Sequence, residues 1–139
     1  MNKSITITLP GEIKFVRFAS QTAASVATLL ISENIPESEG TQFVHDFELA
    51  ICEAFTNSVK HAVKRDTLQM LTITFEFEPR QLTVCLRDTN GPFTIETPTP
   101  EITDYPPGGY GLMIIRKVMD GVTCHRDGDS NILRMSKSL

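Results

Sequence analysis

Three polar side chains are spaced four residues apart within a largely apolar segment of the sequence. Glu53, Asn57 and His61 would form one line along a helix, because residues four apart share a helix face. A carboxylate can accept a proton from a hydroxyl, and an amide oxygen beside it can bind Mg²⁺, which prefers oxygen ligands. The same spacing also fits an ordinary solvated helix face. The line therefore predicts candidate catalytic and metal-binding residues that need support from elsewhere in the chain.

A second polar group, RDTNGPF, follows an apolar segment at residues 87–93. Asp88 at a strand end, with Gly91 beyond it, would present a carboxylate to the exocyclic amine of a planar base while the chain turns sharply. The alternative is an ordinary turn, because Asp, Asn, Gly and Pro dominate turns. Both interpretations remain open at this point.

A third group, GGYGL, runs into the last apolar helical pattern at residues 108–112. Glycines at a helix N-terminus let backbone N–H groups approach a phosphate closely, and the helix dipole favours its negative charge. A hinge ahead of a helix is the alternative. The pattern matches neither the P-loop nor the dinucleotide-binding fingerprint.

Hydrophobic periodicity predicts the elements that must position these groups. The predicted strands cover residues 4–9, 69–76, 81–87, 122–125 and 131–135, and the predicted helices cover residues 15–31, 41–63 and 112–119. Thr41 is the expected N-cap of the second helix, and residues 77–80 are the expected hairpin loop. The order β-α-α-β-β-loop-α-β-β predicts an α/β two-layer sandwich, with helices on one face of a sheet.

Composition limits the classes of function. The 139 residues, 40% of them apolar, fit a single domain over residues 1–139. A net charge of −4 without a basic run argues against nucleic acid and favours a basic protein surface as partner. Isolated Cys52, Cys85 and Cys124 are expected to be reduced thiols. No signal peptide or membrane-length apolar run occurs, so the cytoplasm is the expected location.

The three groups occur in an order that resembles a known superfamily. EAFTNSVKH, RDTNGPF and GGYGLMIIRKVMD resemble the N, G1 and G2 boxes of the GHKL ATPases, which include histidine kinases, gyrase-type topoisomerases, Hsp90-type chaperones and MutL-type repair proteins. The short length and the segment GDSNILRMSKSL are similar to the anti-sigma regulatory factor kinases of the RsbW and SpoIIAB type. The resemblance covers nearly the whole chain. It implies a Bergerat-type fold, with helices on one face of a mixed, mainly antiparallel sheet.

The resemblance also implies a role for each candidate residue. Glu53 would act as base on a protein serine hydroxyl, and Asn57 would help hold Mg²⁺. Asp88 would accept a hydrogen bond from the adenine amino group, and Gly91 would lie under the adenine. The other residues implied to bind ATP are Lys60, His61, Gly108, Gly109, Gly111, Leu112 and Arg116, and residues 94–108 correspond to the ATP lid.

The function implied by the resemblance is that of an ATP- and Mg²⁺-dependent serine/threonine-protein kinase that is also an anti-sigma factor. Its partners would be a sigma factor and an anti-anti-sigma (STAS-type) protein, which it would phosphorylate on serine, and proteins of this type are typically homodimers. No direct contact with nucleic acid or membrane is implied.

Two departures from the family pattern favour alternatives. Asn90 stands where the G1 box usually has glycine, and residues 94–108 contain no Lys or Arg. Since phosphoryl transfer needs positive charge near the γ-phosphate, Arg116, Lys60 or Arg87 would have to supply it. One alternative is a non-catalytic GHKL module that only sequesters a regulatory protein. Another is the catalytic domain of a histidine kinase. The sequence has no helical hairpin with a phospho-accepting histidine before residue 15, which argues against this alternative.

Overall fold

The computed structural model describes residues 3–62, 69–90 and 110–139, with Tyr110 described by its backbone alone. The helices are α1 (Val16–Asn34), α2 (Thr41–His61) and α3 (Tyr110–Val118). The strands are β1 (Lys3–Pro10), β2 (Met70–Glu78), β3 (Gln81–Asp88), β4 (Gly121–Asp127) and β5 (Ser130–Ser138). All eight elements predicted from periodicity are therefore confirmed. Most of the loop predicted after β3 falls on residues 91–109, outside the described part of the chain.

The strands form one sheet in the order β1-β2-β3-β5-β4. Each neighbouring pair of described strands is antiparallel, which agrees with the expected mainly antiparallel sheet. The hairpin between β2 and β3 is tighter than predicted, because Phe77 continues β2 and pairs with Leu82. Only Pro79 and Arg80 form the turn. In the hairpin between β4 and β5, Gly128 has φ 60, a conformation that glycine adopts without a steric penalty.

Alternate residues of the three central strands build the core. Val84 pairs with Met135, and Leu86 pairs with Leu133, so these four side chains share one face of the sheet. All four are at most 5% exposed and belong to the same hydrophobic cluster as Phe47, Phe55 and other residues of α2. Burying one such side chain stabilises the fold by roughly 1.5–3 kcal/mol. The two-layer sandwich predicted from the sequence is therefore confirmed.

The start of α2 differs from the sequence prediction. Gly40, and not Thr41, is the N-cap, and its carbonyl accepts a hydrogen bond from the Val44 N–H at 3.1 Å. A β-carbon on Gly40 would lie 2.4 Å from Cγ2 of Ile31 in α1. The prediction of Thr41 as cap was wrong because the close approach of α1 requires glycine at this position, whatever the capping preference of threonine.

In the described part of the chain, no helix is both long enough and apolar enough to span a membrane.

Candidate functional site

The polar line predicted from four-residue spacing lies on a single helix, α2. Glu53 and Asn57 are half-buried and His61 is exposed, whereas Ala54 and Ser58, their neighbours in sequence, are buried. The line therefore runs along the border between the buried face of α2 and solvent. A side chain at such a border can be fixed by the core and still contact a ligand.

The first turn of α3 lies directly against Asn57. A β-carbon on Gly111 would be 2.5 Å from Asn57 Nδ2 and 3.0 Å from Oδ1. Glycine is thus the only residue that allows α3 to begin beside this amide without displacing it. The N-terminus of a helix attracts anions through its unpaired N–H groups and its dipole. The fold therefore places the Asn57 amide, whose oxygen can bind a metal ion, next to the N-terminus of α3, which can bind an anion.

Asp88 ends β3 with its side chain toward the helices, and it is 4% exposed. Its Oδ2 accepts a hydrogen bond from Ser58 Oγ at 2.7 Å. Its Oδ1 accepts from Asn131 Nδ2 at 3.0 Å and from the Asn90 backbone N–H at 3.1 Å. A carboxylate offers about four acceptor positions. The three described donors therefore hold Asp88 in one orientation and leave acceptor capacity for a donor on a ligand.

A cavity lies between α2, α3 and the ends of the central strands. Its apolar walls are Ala54, Leu86, Leu112 and Leu133, and its polar lining consists of Asn57, Ser58, His61, Asp88 and Asn131. Apolar walls with a few convergent polar groups are the lining typical of small-molecule sites. The space that the described residues enclose is small, about 30 Å³. Four of the residues singled out in the sequence meet here, namely Asn57, His61, Asp88 and Leu112.

Other predicted site residues lie elsewhere. Glu53 is one helical turn before Asn57 and does not line the described walls of the cavity. Lys60 and Arg116 are exposed and also lie outside those walls. Gly91, Gly108 and Gly109, together with the predicted lid at residues 94–108, fall outside the described residues, so their roles stay predictions.

Arg87 is a poor candidate for the cation at a γ-phosphate. It precedes Asp88 on β3, so its side chain is on the opposite face of the sheet. There its NH2 forms an ion pair with Asp127 Oδ2 at 3.3 Å. Of the three cations considered from the sequence, Lys60 and Arg116 remain.

Sequence reasoning missed Ser58 and Asn131, two of the donors to Asp88. Ser58 follows the recognised Asn57 but belongs to the buried side of α2. Asn131 alternates with Leu133 and Met135 on β5, and all three are at most 5% exposed. A polar residue at an inward strand position was the available signal, because buried polar groups require hydrogen-bonding partners.

A divalent metal would have few protein ligands here. Among the described residues, no group of three or more His, Cys, Asp or Glu side chains could hold a metal ion. Asn57 offers an amide oxygen beside the N-terminus of α3, which fits Mg²⁺, because Mg²⁺ usually takes few protein ligands and keeps phosphate and water oxygens. The donor set therefore suits a nucleotide-bound Mg²⁺ better than a metal held by protein alone.

Burial disfavours the thiolate form of two cysteines near the site. Burial, followed by the charge of Asp88, raises the pKa of Cys124. Burial, followed by the charges of Glu53 and Glu48, raises the pKa of Cys52. The thiolate form is disfavoured at both positions, so neither thiol is a candidate nucleophile.

Comparison with known proteins agrees with the geometry. Residues 17–137 match the histidine kinase-like ATPase domain family. Serine-protein kinase RsbW of Listeria innocua serovar 6a is 28% identical over 136 residues, which cover 91% of this chain and 82% of that protein. Serine-protein kinase RsbW of Staphylococcus aureus is 30% identical over 99 residues, which cover 64% of this chain and 62% of that protein. Because the family match spans most of the sequence, the chain belongs to the histidine kinase-like ATPases of the GHKL superfamily, where it is similar to serine-protein kinases of the RsbW type.

Proposed function

We propose that this protein is an ATP- and Mg²⁺-dependent serine/threonine-protein kinase and anti-sigma factor. It binds a sigma factor and phosphorylates an anti-anti-sigma (STAS-type) protein on serine. The observation that carries the proposal is the cavity in which Asp88, Asn57 and the start of α3 meet, in a chain similar to proteins named serine-protein kinases. The protein acts as a homodimer in the cytoplasm.

The adenine base binds next to Asp88, where the cavity between the described residues, about 30 Å³, must widen to admit it. The carboxylate accepts a hydrogen bond from the 6-amino group, since its three described partners all donate to it. Leu112 and Leu133 supply apolar contacts to the faces of the base. This combination selects a purine that carries an amino donor at the position Asp88 meets.

The phosphates lie at the N-terminus of α3. Gly111 lets the helix start beside Asn57, so backbone N–H groups and an amide oxygen lie on one side of the phosphate chain. Asn57 would contribute an oxygen ligand to Mg²⁺, and the metal would neutralise developing charge on the phosphate oxygens. Gly108 and Gly109 contribute further N–H groups, as the sequence predicts.

Glu53 acts at the transfer step. Its carboxylate, one turn before Asn57 on α2, takes the proton from the serine hydroxyl of the partner protein. The serine oxygen then forms a bond to the γ-phosphorus, the bond from phosphorus to the β,γ-bridging oxygen breaks, and ADP leaves. Lys60 or Arg116 supplies the remaining positive charge.

A second candidate function is a GHKL module that holds nucleotide, or no longer does, and only sequesters a regulatory protein. The observation in its favour is that Lys60 and Arg116 are exposed and do not line the described cavity. The acidic composition of residues 94–108 points the same way.

Titration calorimetry with ATP, with and without Mg²⁺, tests the nucleotide site. We expect Mg²⁺-dependent binding that is weakened by Asn57→Ala and by Asp88→Asn but not by Asn34→Ala, a control at the end of α1. Transfer of labelled phosphate to a STAS-type protein then tests the kinase, and Glu53→Gln should abolish transfer while ATP still binds. Normal ATP binding without any transfer would favour the sequestering module, and no ATP binding would contradict the proposal.

A further inference from the structure

The last turn of α2 is capped by side chains from another part of the fold. In a continued α-helix the Ala62 N–H would bond to the Ser58 carbonyl, but it donates to the Val59 carbonyl at 3.1 Å. The Ser58 carbonyl instead accepts from Asn90 Nδ2 at 2.9 Å and from Gln69 Nε2 at 3.4 Å. Two amide side chains thus satisfy a helix-end carbonyl that would otherwise be unpaired.

Asn90 connects this helix end to the candidate base-binding carboxylate. Its backbone N–H donates to Asp88 Oδ1 at 3.1 Å, and its side-chain Oδ1 accepts from Gln69 Nε2 at 3.1 Å. Gln69 in turn accepts through Oε1 from the Thr89 N–H at 3.1 Å. Asn90 is 2% exposed and Gln69 is 7% exposed. Both amide groups are therefore used as donor and acceptor in a site from which water is largely excluded.

Side chains from β4 and β5 also hold Asn90, through its backbone carbonyl. The Asn90 carbonyl accepts from Arg126 NH1 at 3.1 Å and from Asn131 Nδ2 at 3.2 Å. Asn131 also donates to Asp88 Oδ1. Buried polar networks in which each member is satisfied are rigid, because any rearrangement leaves a polar group unpaired in a low dielectric.

We propose that Asn90 and Gln69 are positioning residues that fix the Asp88 carboxylate relative to α2 and thereby set the preference for a base with an exocyclic amino group. The inference rests on the proposed nucleotide site. It gives a reason for Asn90 at a position where the G1 box usually has glycine: the asparagine side chain spans the gap from the end of β3 to the end of α2. Neither residue lines the described cavity.

The test compares two nucleotides on the full chain by titration calorimetry. One is ATP, and the other is purine riboside 5′-triphosphate, which is ATP without the 6-amino group. The natural protein should prefer ATP. Asn90→Ala keeps the backbone N–H that bonds Asp88 but removes the side-chain link to the Ser58 carbonyl. It should lower the ratio of the two affinities by about 5- to 30-fold, the factor expected if the loosened carboxylate loses its hydrogen bond to the 6-amino group.

Asn34→Ala is the matched control. Asn34 Nδ2 donates to the Leu30 carbonyl at 2.8 Å at the end of α1. This variant therefore also loses a hydrogen bond from a side-chain amide to a helix carbonyl. It should leave the affinity ratio unchanged. Gln69→Met keeps the side-chain length but removes both polar functions, and it should lower the ratio less than Asn90→Ala, because Gln69 acts on Asp88 through Asn90. If a thermal unfolding measurement shows that Asn90→Ala does not fold, the affinity ratio of Gln69→Met becomes the test of the positioning role.

The outcomes separate this inference from the function on which it rests. An unchanged ratio, with both nucleotides weakened equally or not at all, overturns the positioning role and reduces these residues to structural ones. A failure of the natural protein to bind ATP overturns the proposed function and this inference with it. Only a ratio that falls in the variants and not in the control supports it.

Discussion

The α-carbon of Gly111 faces the side-chain amide of Asn57 so closely that an added β-carbon would lie 2.5 Å from Nδ2. Asn57 belongs to α2 and Gly111 to the first turn of α3, and these helices are adjacent in space although the two positions are far apart in sequence. Any enlargement of residue 111 must therefore displace the amide or tilt the helix. The consequences can be measured separately for stability and for binding.

Gly111→Ala should weaken Mg²⁺-dependent ATP binding about tenfold or more and destabilise the fold by about 1–3 kcal/mol, the usual range for overpacking. The measurements are titration calorimetry and chemical denaturation. Gly128→Ala is the control: nothing lies within 4 Å of its β-carbon, but φ is +60, so it should destabilise the fold and leave ATP affinity unchanged. Natural affinity in Gly111→Ala would contradict the placement of the phosphates.

Ser58→Ala should destabilise the protein by about 1–3 kcal/mol, because it removes the donor to a buried carboxylate oxygen. The hydroxyl and Asp88 Oδ2 are 2.7 Å apart. Urea denaturation measures the change. Ser32→Ala, which loses a bond from an exposed hydroxyl to the Leu29 carbonyl of the same helix, should stay within about 0.5 kcal/mol of the natural protein. Equal effects of the two substitutions would argue against a special role for the Ser58 hydroxyl.

Lys137→Met should destabilise the protein by about 3–5 kcal/mol, because it leaves a buried charge without its partner. Lys137 Nζ lies 3.3 Å from Asp46 Oδ2, whose side chain is 8% exposed, and it also donates to the Val118 carbonyl at 2.8 Å. Denaturation curves give the loss. The double variant Asp46→Leu/Lys137→Met should recover much of it, since replacing both charges by apolar groups removes the unpaired ion. A double variant as unstable as the sum of both single variants would contradict this account.

The three cysteines should react slowly with iodoacetamide near neutral pH. Burial is the first cause that raises the pKa of each thiol. A raised pKa lowers the thiolate fraction at any given pH, and the thiolate is the reacting form. The alkylation rate, followed by mass spectrometry, should therefore rise as the pH is raised through and beyond the ordinary thiol range, and unfolding should accelerate it at a fixed pH. A thiol as reactive at pH 7 in the folded as in the unfolded protein would contradict the prediction.

The elements were predictable from the sequence because their signals are local. Alternation of Ile5 and Ile7 with threonines indicated β1, and helical spacing indicated α1 and α2. The start of α2 was misassigned because the deciding contact, between Gly40 and Ile31, belongs to tertiary structure. Local preference is a weak guide where helices touch.

The candidate site was predictable only in part, for a related reason. Asn57 and Asp88 were found through motifs, and the cavity brings them together. The residues that orient Asp88 could not be assigned, since Ser58 is 30 residues away and Asn131 is 43 residues away in sequence. Only pairing of β3 with β5 brings Asn131 opposite Asp88. The roles of Gly91, Gly108 and Gly109 stay predictions.

The position of β5 in the sheet has a consequence for biosynthesis. This strand follows all other described elements in sequence, yet it lies between β3 and β4 instead of at the edge. While the ribosome is still adding these residues, β3 has an open edge and Asp88 lacks the amide of Asn131. Since such long-range pairing forms slowly, a nascent chain exposes an incomplete cavity beside Asp88 until β5 emerges.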